Sequence, residues 1–138
     1  MAHILIIDDD AEIRTALECF LAGAGYSTSQ AANGSEGLRL LEKGKIDLVI
    51  TDIYMPEADG LEVAREIKKR YNQESVQIPV IAVSGGIKFF DATVLCYLQQ
   101  AKRFGASRTF NKPLDFGAIH EAIQELLAGD SSDRVVPA

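Results

Sequence analysis

The fold is decided first by residues 4–10, which read ILIIDDD. Four consecutive Ile and Leu residues are typical of a strand that is buried on both faces of a parallel sheet. Three aspartates follow directly, and buried carboxylates need a hydrogen-bond donor or a cation beside them. We therefore expect a core strand over Ile4–Ile7 whose carboxyl end carries a group of acidic side chains.

Short apolar runs and longer segments with helical spacing alternate along the rest of the chain. Four further strands are predicted at Tyr26–Ala31, Ile46–Thr51, Pro79–Val83 and Ser107–Asn111. The helices are predicted from Ala11 to Ala22, from the Asn33-Gly34-Ser35 cap to Gly44, from about Leu61 to Tyr71, within Asp91 to Phe104, and from Asp115 to Leu127.

Five strands that alternate with five helices predict an α/β fold: a doubly wound five-stranded parallel sheet with helices on both faces. A sheet of this size favours the flavodoxin-like strand order 2-1-3-4-5. The second strand, Tyr26–Ala31, is the most polar, so we expect it near a sheet edge.

Composition excludes several classes of protein. The chain has 138 residues, 47% of them hydrophobic and 25% charged, which excludes a disordered chain and fits one domain. The net charge of −6 disfavours duplex nucleic acid as a partner. Apolar runs are too short for a membrane span, and the N-terminus does not resemble a signal peptide. We expect a cytoplasmic protein that binds neither nucleic acid nor membrane.

The two cysteines, Cys19 and Cys96, each fall within a predicted helix with apolar neighbours. A disulfide between them stays open, but two buried reduced thiols are the favoured interpretation for a cytosolic protein. The chain has no CxxC motif, which disfavours a zinc site.

Polar side chains follow four of the predicted strands: the acidic triplet at residues 8–10, Asp52, Ser84 and Lys112. In the order 2-1-3-4-5 these four strand ends are neighbours and form one cleft. Clustered carboxylates repel one another unless a cation neutralises them, and oxygen ligands favour Mg²⁺. An ammonium and a hydroxyl beside them suit phosphoryl transfer. Asp10 itself is interpreted as the cap of the first helix.

The motifs in this cleft resemble those of one family, the receiver domains of two-component response regulators. The resemblance extends from Ile4 to about Leu127, and it lies in IIDDD at 6–10, VITDIYMP at 49–56, DG at 59–60, VSG at 83–85 and NKP at 111–113. It implies a receiver domain over residues 1–128, followed by a tail over 129–138 that we expect to be disordered.

The resemblance also implies roles for individual residues. Asp52 would accept a phosphoryl group from the phosphohistidine of a sensor histidine kinase or a phosphotransfer protein. Mg²⁺ would be the cofactor, bound by Asp9, Asp52 and the backbone carbonyl of Tyr54, with Asp8 acting through a water. The residues that contact the phosphoryl group and switch would be Ser84, Gly85 and Lys112.

The sequence departs from the family pattern in the fifth strand and in the segment before it. Thr109 stands three residues before Lys112, where receivers often carry Tyr or Phe, and Phe110 should point to the opposite face of the sheet. The interval from Ser84 to Lys112 spans 28 positions, with a surplus at Gly85–Phe90. That surplus is either a partner surface or a loop that buries its own aromatic rings.

Two classes of function compete. The favoured one is a stand-alone phosphoacceptor that signals through protein binding at the face of the fourth helix, fifth strand and last helix, as a motor effector, a phosphorelay intermediate or a phosphate sink. No output domain is expected after it. An aspartyl-phosphate phosphatase would place a second Asp where Tyr54 stands, so we expect no enzyme beyond self-catalysed phosphoryl transfer and autodephosphorylation. A flavin or nucleotide carrier is weaker still, since the chain has no GxxxxGK[ST] loop.

Overall fold

The structure is a computed structural model that describes residues 2–52, 60–70, 78–84 and 106–129. Its strands are β1 His3–Ile7, β2 Ser27–Ala31, β3 Leu48–Asp52, β4 Val80–Ser84 and β5 Arg108–Asn111. The helices of the described ranges are α1 Ala11–Gly23, α2 Gly34–Glu42, α3 Gly60–Arg70 and α4 Phe116–Leu127. The helix predicted within Asp91 to Phe104 and the tail beyond Gly129 lie outside these ranges.

All five strands are parallel, and their order is β2-β1-β3-β4-β5. This order confirms the predicted doubly wound sheet, including the edge position of the polar second strand. Ile7 pairs with Thr51, and Ser84 pairs with Asn111. The carboxyl ends of β1, β3, β4 and β5 therefore lie side by side along one edge of the sheet.

The sheet separates two apolar clusters, because successive strand residues point to opposite faces. Ile4, Ile6 and Ile50 face one side and pack with side chains of α1 and α4. Leu5 and Ile7 face the other side and pack with side chains of α2 and α3. Burial on both faces explains why β1 and β3 read as nearly continuous apolar runs.

The loop after β1 passes directly into a capped helix. Asp10 has extended backbone angles, and its carboxylate accepts a hydrogen bond from the Glu12 N–H at 2.9 Å. The predicted role of Asp10 as the cap of α1 is therefore confirmed. Asn33 caps α2 in the same way, through the Glu36 N–H at 2.8 Å.

One close approach determines how α2 sits on the sheet. Gly37 is buried, and a Cβ added to it would overlap Ile7 Cδ1 and lie 2.9 Å from Ile7 Cγ1. A glycine at this point lets the α2 backbone approach the carboxyl end of β1 more closely than any side chain would allow. Ile7 immediately precedes the acidic triplet, so this packing supports the strand end that carries the carboxylates.

The prediction of buried thiols is wrong for Cys19, which is exposed on α1. Leu17 and Leu21 are the buried residues of that helix, and Cys19, two positions from each, points to the opposite, solvent-facing side. Cys96 lies outside the described residues. None of the described helices is both long and apolar enough to cross a membrane.

Candidate functional site

Three carboxylates meet at the carboxyl ends of β1 and β3. Ligand oxygens of Asp8, Asp9 and Asp52 all lie within 4.8 Å of one another. Asp8 and Asp52 are buried, with 2% and 3% of their surface exposed, whereas Asp9 is exposed. The pairing of Ile7 with Thr51 places the next residue of each strand at the same level, which brings Asp8 and Asp52 together. The structure thus assembles the acidic group that the sequence predicted.

Lys112 reaches this group from the end of β5. Its Nζ donates hydrogen bonds to Asp8 Oδ2 at 2.9 Å and to Asp52 Oδ2 at 3.2 Å. β4 lies between β3 and β5, so the long side chain extends past one strand to reach both carboxylates. The Lys112 ammonium thus contacts two of the three carboxylates. The peptide bond from Lys112 to Pro113 is cis.

Burial and charge perturb both partners of this contact. Burial raises the pKa of Asp8, and this outweighs the opposite effect of the hydrogen bonds from the Asp10 N–H and from Lys112. For Lys112, burial acts to lower the pKa, but the carboxylates of Asp52 and Asp8 together outweigh it, and its pKa is raised. Lys112 is therefore held as an ammonium, while the ionised form of Asp8 is disfavoured by its surroundings.

Hydrogen bonds from several elements hold the turn that carries the acidic residues. Asp8 Oδ1 accepts a hydrogen bond from the Asp10 N–H at 2.9 Å. The Asp8 N–H donates to the Ala31 carbonyl at 3.1 Å. Arg14 Nη1 donates to the Asp8 carbonyl at 2.6 Å, and Arg14 Nε donates to Gln30 Oε1 at 3.2 Å. The backbone of the turn is thus linked to both β2 and α1.

Arg14 and Gln30 were not among the residues predicted for the site. Arg14 lies four residues after the capping Asp10, one turn into α1, and its side chain extends back towards the helix N-terminus. That spacing is a signal that could have placed its guanidinium near the end of β1. The contact to Gln30 depends on the neighbouring strand, which no local pattern reveals.

The remaining predicted site residues are described only in part. Ser84 ends β4 at the same edge of the sheet, opposite Asn111, and the structure describes its backbone alone. Tyr54, Gly85 and the rest of the Gly85–Phe90 segment lie outside the described residues.

In β5, Thr109 pairs with Ala82 and Phe110 pairs with Val83. Phe110 packs against the apolar cluster beneath α1 and α4, together with Val83. Thr109 belongs to the alternate face, so the prediction that the two residues point to opposite sides of the sheet is confirmed.

Comparison with known proteins identifies the family. The family model for the response regulator receiver domain matches residues 4–124. The chain belongs to the response regulator receiver domain family. The receiver domain of this chain is similar in structure to a receiver domain protein from Clostridium thermocellum, with a TM-score of 0.81, 30% identity, and coverage of 94% of this chain and 96% of that one.

Two curated relatives differ in how much of their own length aligns with this chain. The chain is 32% identical over 124 residues to sporulation initiation phosphotransferase F of Bacillus subtilis, covering 90% of this chain and 92% of that protein. It is 36% identical over 126 residues to transcriptional regulatory protein GlrR of Escherichia coli, covering 91% of this chain and 26% of GlrR. The chain therefore spans about a quarter of the length of GlrR.

Proposed function

We propose that this receiver domain accepts a phosphoryl group on Asp52 from the phosphohistidine of a histidine kinase or a phosphotransfer protein. The reaction requires Mg²⁺, and the phosphorylated domain signals by binding another protein. The observation that carries this proposal is the contact of Lys112 Nζ with both Asp8 and Asp52, at 2.9 and 3.2 Å, within the group of three carboxylates. An ammonium beside paired carboxylates is the arrangement that phosphoryl transfer to an acid needs.

Asp52 is the best nucleophile of the three acids. Asp8 accepts hydrogen bonds through both of its oxygens, from the Asp10 N–H and from Lys112, and so holds the turn together. Asp52 ends β3, the central strand, with β1 on one side and β4 on the other. A phosphoryl group on Asp52 would therefore have acidic metal ligands on one side and the Ser84 position on the other.

The donor set suits Mg²⁺. The three carboxylates offer only oxygen, their ligand atoms lie within 4.8 Å of one another, and burial disfavours the charged form of Asp8 until a cation balances it. Asp9 and Asp52 would bind the ion directly with the carbonyl of Tyr54, and Asp8 would act through a water. Bound Mg²⁺ would neutralise charge on the phosphoryl oxygens.

In the transfer step, an Asp52 carboxylate oxygen attacks phosphorus and forms a P–O bond. The P–N bond to the donor imidazole breaks, and its electron pair returns to that nitrogen. The Lys112 ammonium then donates to phosphoryl oxygens, as do the Ser84 hydroxyl and the Gly85 backbone. Water later attacks the phosphoaspartate and releases phosphate, so autodephosphorylation requires no further enzyme.

The signal would leave through β5, which Lys112 directly follows, and through α4, which packs beside it. Together with the predicted helix within Asp91 to Phe104, they form the proposed partner face. A phosphorelay intermediate is the second candidate, because the relative named sporulation initiation phosphotransferase F aligns with this chain over 92% of its length. A motor effector and a phosphate sink stay as alternative outcomes of the same chemistry.

Mass spectrometry after incubation with acetyl phosphate and Mg²⁺ tests the proposal. The wild type should gain the mass of one phosphoryl group, and Asp52→Asn should gain none. Asp47→Asn is a matched control, because Asp47 is an exposed acid beside His3 at the opposite end of the sheet. It should be labelled like the wild type. Stoichiometric labelling of Asp52→Asn would contradict the assignment.

A further inference from the structure

Arg14 makes the shortest contact to the acidic turn, although its own charge opposes metal binding there. Its Nη1 donates to the Asp8 carbonyl at 2.6 Å, while its Nε is oriented by Gln30 Oε1 at 3.2 Å. The side chain thus spans from α1 to β2 and contacts the backbone of the strand end between them. A hydrogen bond from a charged donor is roughly twice as strong as a neutral one.

The hydrogen bond from Arg14 matters because the neighbouring Asp9 carboxylate has no hydrogen-bond donor of its own among the described residues. Lys112 and the Asp10 N–H hold the Asp8 carboxylate, and Lys112 also contacts Asp52. Within the ranges that the structure describes, no residue donates a hydrogen bond to the exposed Asp9 carboxylate. Within these ranges its orientation therefore depends on its rotamer and on how firmly its backbone is held.

The Asp8 carbonyl and the Asp9 N–H belong to the same planar peptide unit. Fixing the carbonyl oxygen of Asp8 therefore restrains the rotation of that plane and, with it, the position of the Asp9 Cα that carries the side chain. Arg14 is the one described side chain that hydrogen-bonds this carbonyl.

We propose that Arg14 is a positioning residue for the Mg²⁺ site: it clamps the peptide between Asp8 and Asp9 so that the Asp9 carboxylate is pre-oriented for the metal. This inference rests on the proposed function, since it assumes that Asp9 binds Mg²⁺. It adds a residue that contacts neither the metal nor the phosphoryl group.

Electrostatic repulsion alone predicts the opposite effect of Arg14 on Mg²⁺ affinity, so a measurement of that affinity distinguishes the two explanations. A guanidinium near the carboxylates repels Mg²⁺, so its removal should tighten binding if charge were its only contribution. Positioning predicts weaker binding, because the Asp9 carboxylate would have to be ordered at the moment of binding.

The experiment compares Mg²⁺ affinity, measured by calorimetric titration with MgCl₂ alone, in the wild type, Arg14→Lys and Arg14→Met. We expect Arg14→Met to bind about tenfold more weakly, as for the loss of a group that orients a metal ligand. Arg14→Lys keeps the charge but cannot span to the Asp8 carbonyl and Gln30 together, so its affinity should lie between the two. Arg39→Met removes an exposed cation on α2 and should leave Mg²⁺ affinity unchanged.

A second readout separates positioning from general damage to the site. With acetyl phosphate at saturating Mg²⁺, Arg14→Met should regain a labelling rate within about twofold of the wild type, since the metal then occupies the site despite its lower affinity. Thermal unfolding without Mg²⁺ verifies that each variant is folded, and if Arg14→Met is not, Arg14→Lys carries the test by itself.

The outcomes are distinct. Mg²⁺ binding by Arg14→Met as tight as that of the wild type, or tighter, overturns the positioning role and leaves the proposed function intact. If Arg14→Met does not fold, Arg14→Lys with wild-type affinity overturns it in the same way. A wild type that neither binds Mg²⁺ nor gains phosphoryl mass overturns both.

Discussion

The Lys112 ammonium lies 3.2 Å from Asp52 Oδ2 and 2.9 Å from Asp8 Oδ2, so one cation separates two buried carboxylates from neighbouring strands. Among the described residues, Lys112 is a cation that contacts both members of that pair. Its raised pKa has the same origin, since the attraction of the two carboxylates exceeds the effect of burial. The contact therefore links three properties of the domain: stability without metal, affinity for Mg²⁺ and the capacity for phosphoryl transfer.

Replacement of Lys112 by Met should change all three properties: stability without metal, the response to Mg²⁺ and phosphoryl transfer. We expect Lys112→Met to lose about 3 kcal/mol of unfolding free energy without Mg²⁺, because two buried carboxylates lose their cation. Added Mg²⁺ should raise its melting temperature more than that of the wild type, while labelling by acetyl phosphate falls by at least about tenfold. Calorimetric unfolding with and without MgCl₂ checks this, with Lys45→Met as an exposed control. An equal response to Mg²⁺ in variant and wild type would contradict it.

The acidic triplet should divide into a metal ligand and a helix cap. Asp9→Ala should weaken Mg²⁺ binding at least about tenfold, or about 1.4 kcal/mol, because a ligand is lost. Asp10→Ala removes the hydrogen bond to the Glu12 N–H and should instead lower unfolding free energy by about 1 kcal/mol. Titration and denaturant unfolding of both variants separate the two roles. A larger loss of Mg²⁺ affinity in Asp10→Ala would reverse the assignment.

The approach of α2 to β1 should tolerate no added methyl group. Gly37→Ala places a Cβ where Ile7 Cδ1 lies, and we expect a loss of about 2 kcal/mol in unfolding free energy. Gly23 is a helical glycine at which an added Cβ would meet open space, so Gly23→Ala should be neutral or stabilising.

Ile7→Val removes Cδ1, the atom nearest to the new Cβ, and keeps Cγ1 at 2.9 Å, so it relieves the overlap in part. The Gly37→Ala, Ile7→Val double variant should therefore be more stable than the sum of the two single losses predicts. Denaturant unfolding of the cycle measures this coupling, and strict additivity would show that Ile7 Cδ1 is not the obstacle.

Arg108 is a buried cation with an incomplete set of partners. Its side chain is 6% exposed, its Nη2 lies 3.5 Å from Glu125 Oε2, and its buried Nε has no hydrogen-bond partner among the residues that the structure describes. Glu125→Gln should cost about 1 to 2 kcal/mol of unfolding free energy, since the buried charge loses its counter-ion. Arg108→Met removes the charge and the unsatisfied Nε together, so it should lower the unfolding free energy by less than Glu125→Gln does. Chemical denaturation measures the unfolding free energy of both variants. A larger loss in Arg108→Met than in Glu125→Gln would show that the guanidinium is net stabilising.

The switch should involve the segment after β4 rather than a ring movement in β5. The reason is Thr109, which stands where receivers often carry an aromatic residue, next in space to the β4 residue Ala82. Amide exchange across residues 85–95 should change when acetyl phosphate and Mg²⁺ are added. Changes confined to β5 and α4 would indicate that Gly85–Phe90 packs alike in both states.

Local pattern determined the elements and the membership of the site. Runs such as Ile4–Ile7 are typical of strands buried on both faces, and parallel connections leave few strand orders. Because the carboxyl ends of adjacent parallel strands share one edge, Asp8, Asp52 and Lys112 could be grouped without coordinates. The cap at Asp10 was likewise predictable, since it depends on a hydrogen bond two residues away.

Only the tertiary structure decided how these residues are held. Lys112 contacts two carboxylates, Arg14 donates to the Asp8 carbonyl, and the missing side chain of Gly37 leaves room for Ile7. Each contact depends on the distance between two elements, which sequence spacing does not encode. The exposure of Cys19 depends on the rotation of α1 about its axis, which is set by the packing of Leu17 and Leu21 and not by apolar neighbours in sequence. Periodicity and strand-end position are local properties of the chain, whereas side-chain contacts across elements follow from packing of the whole domain.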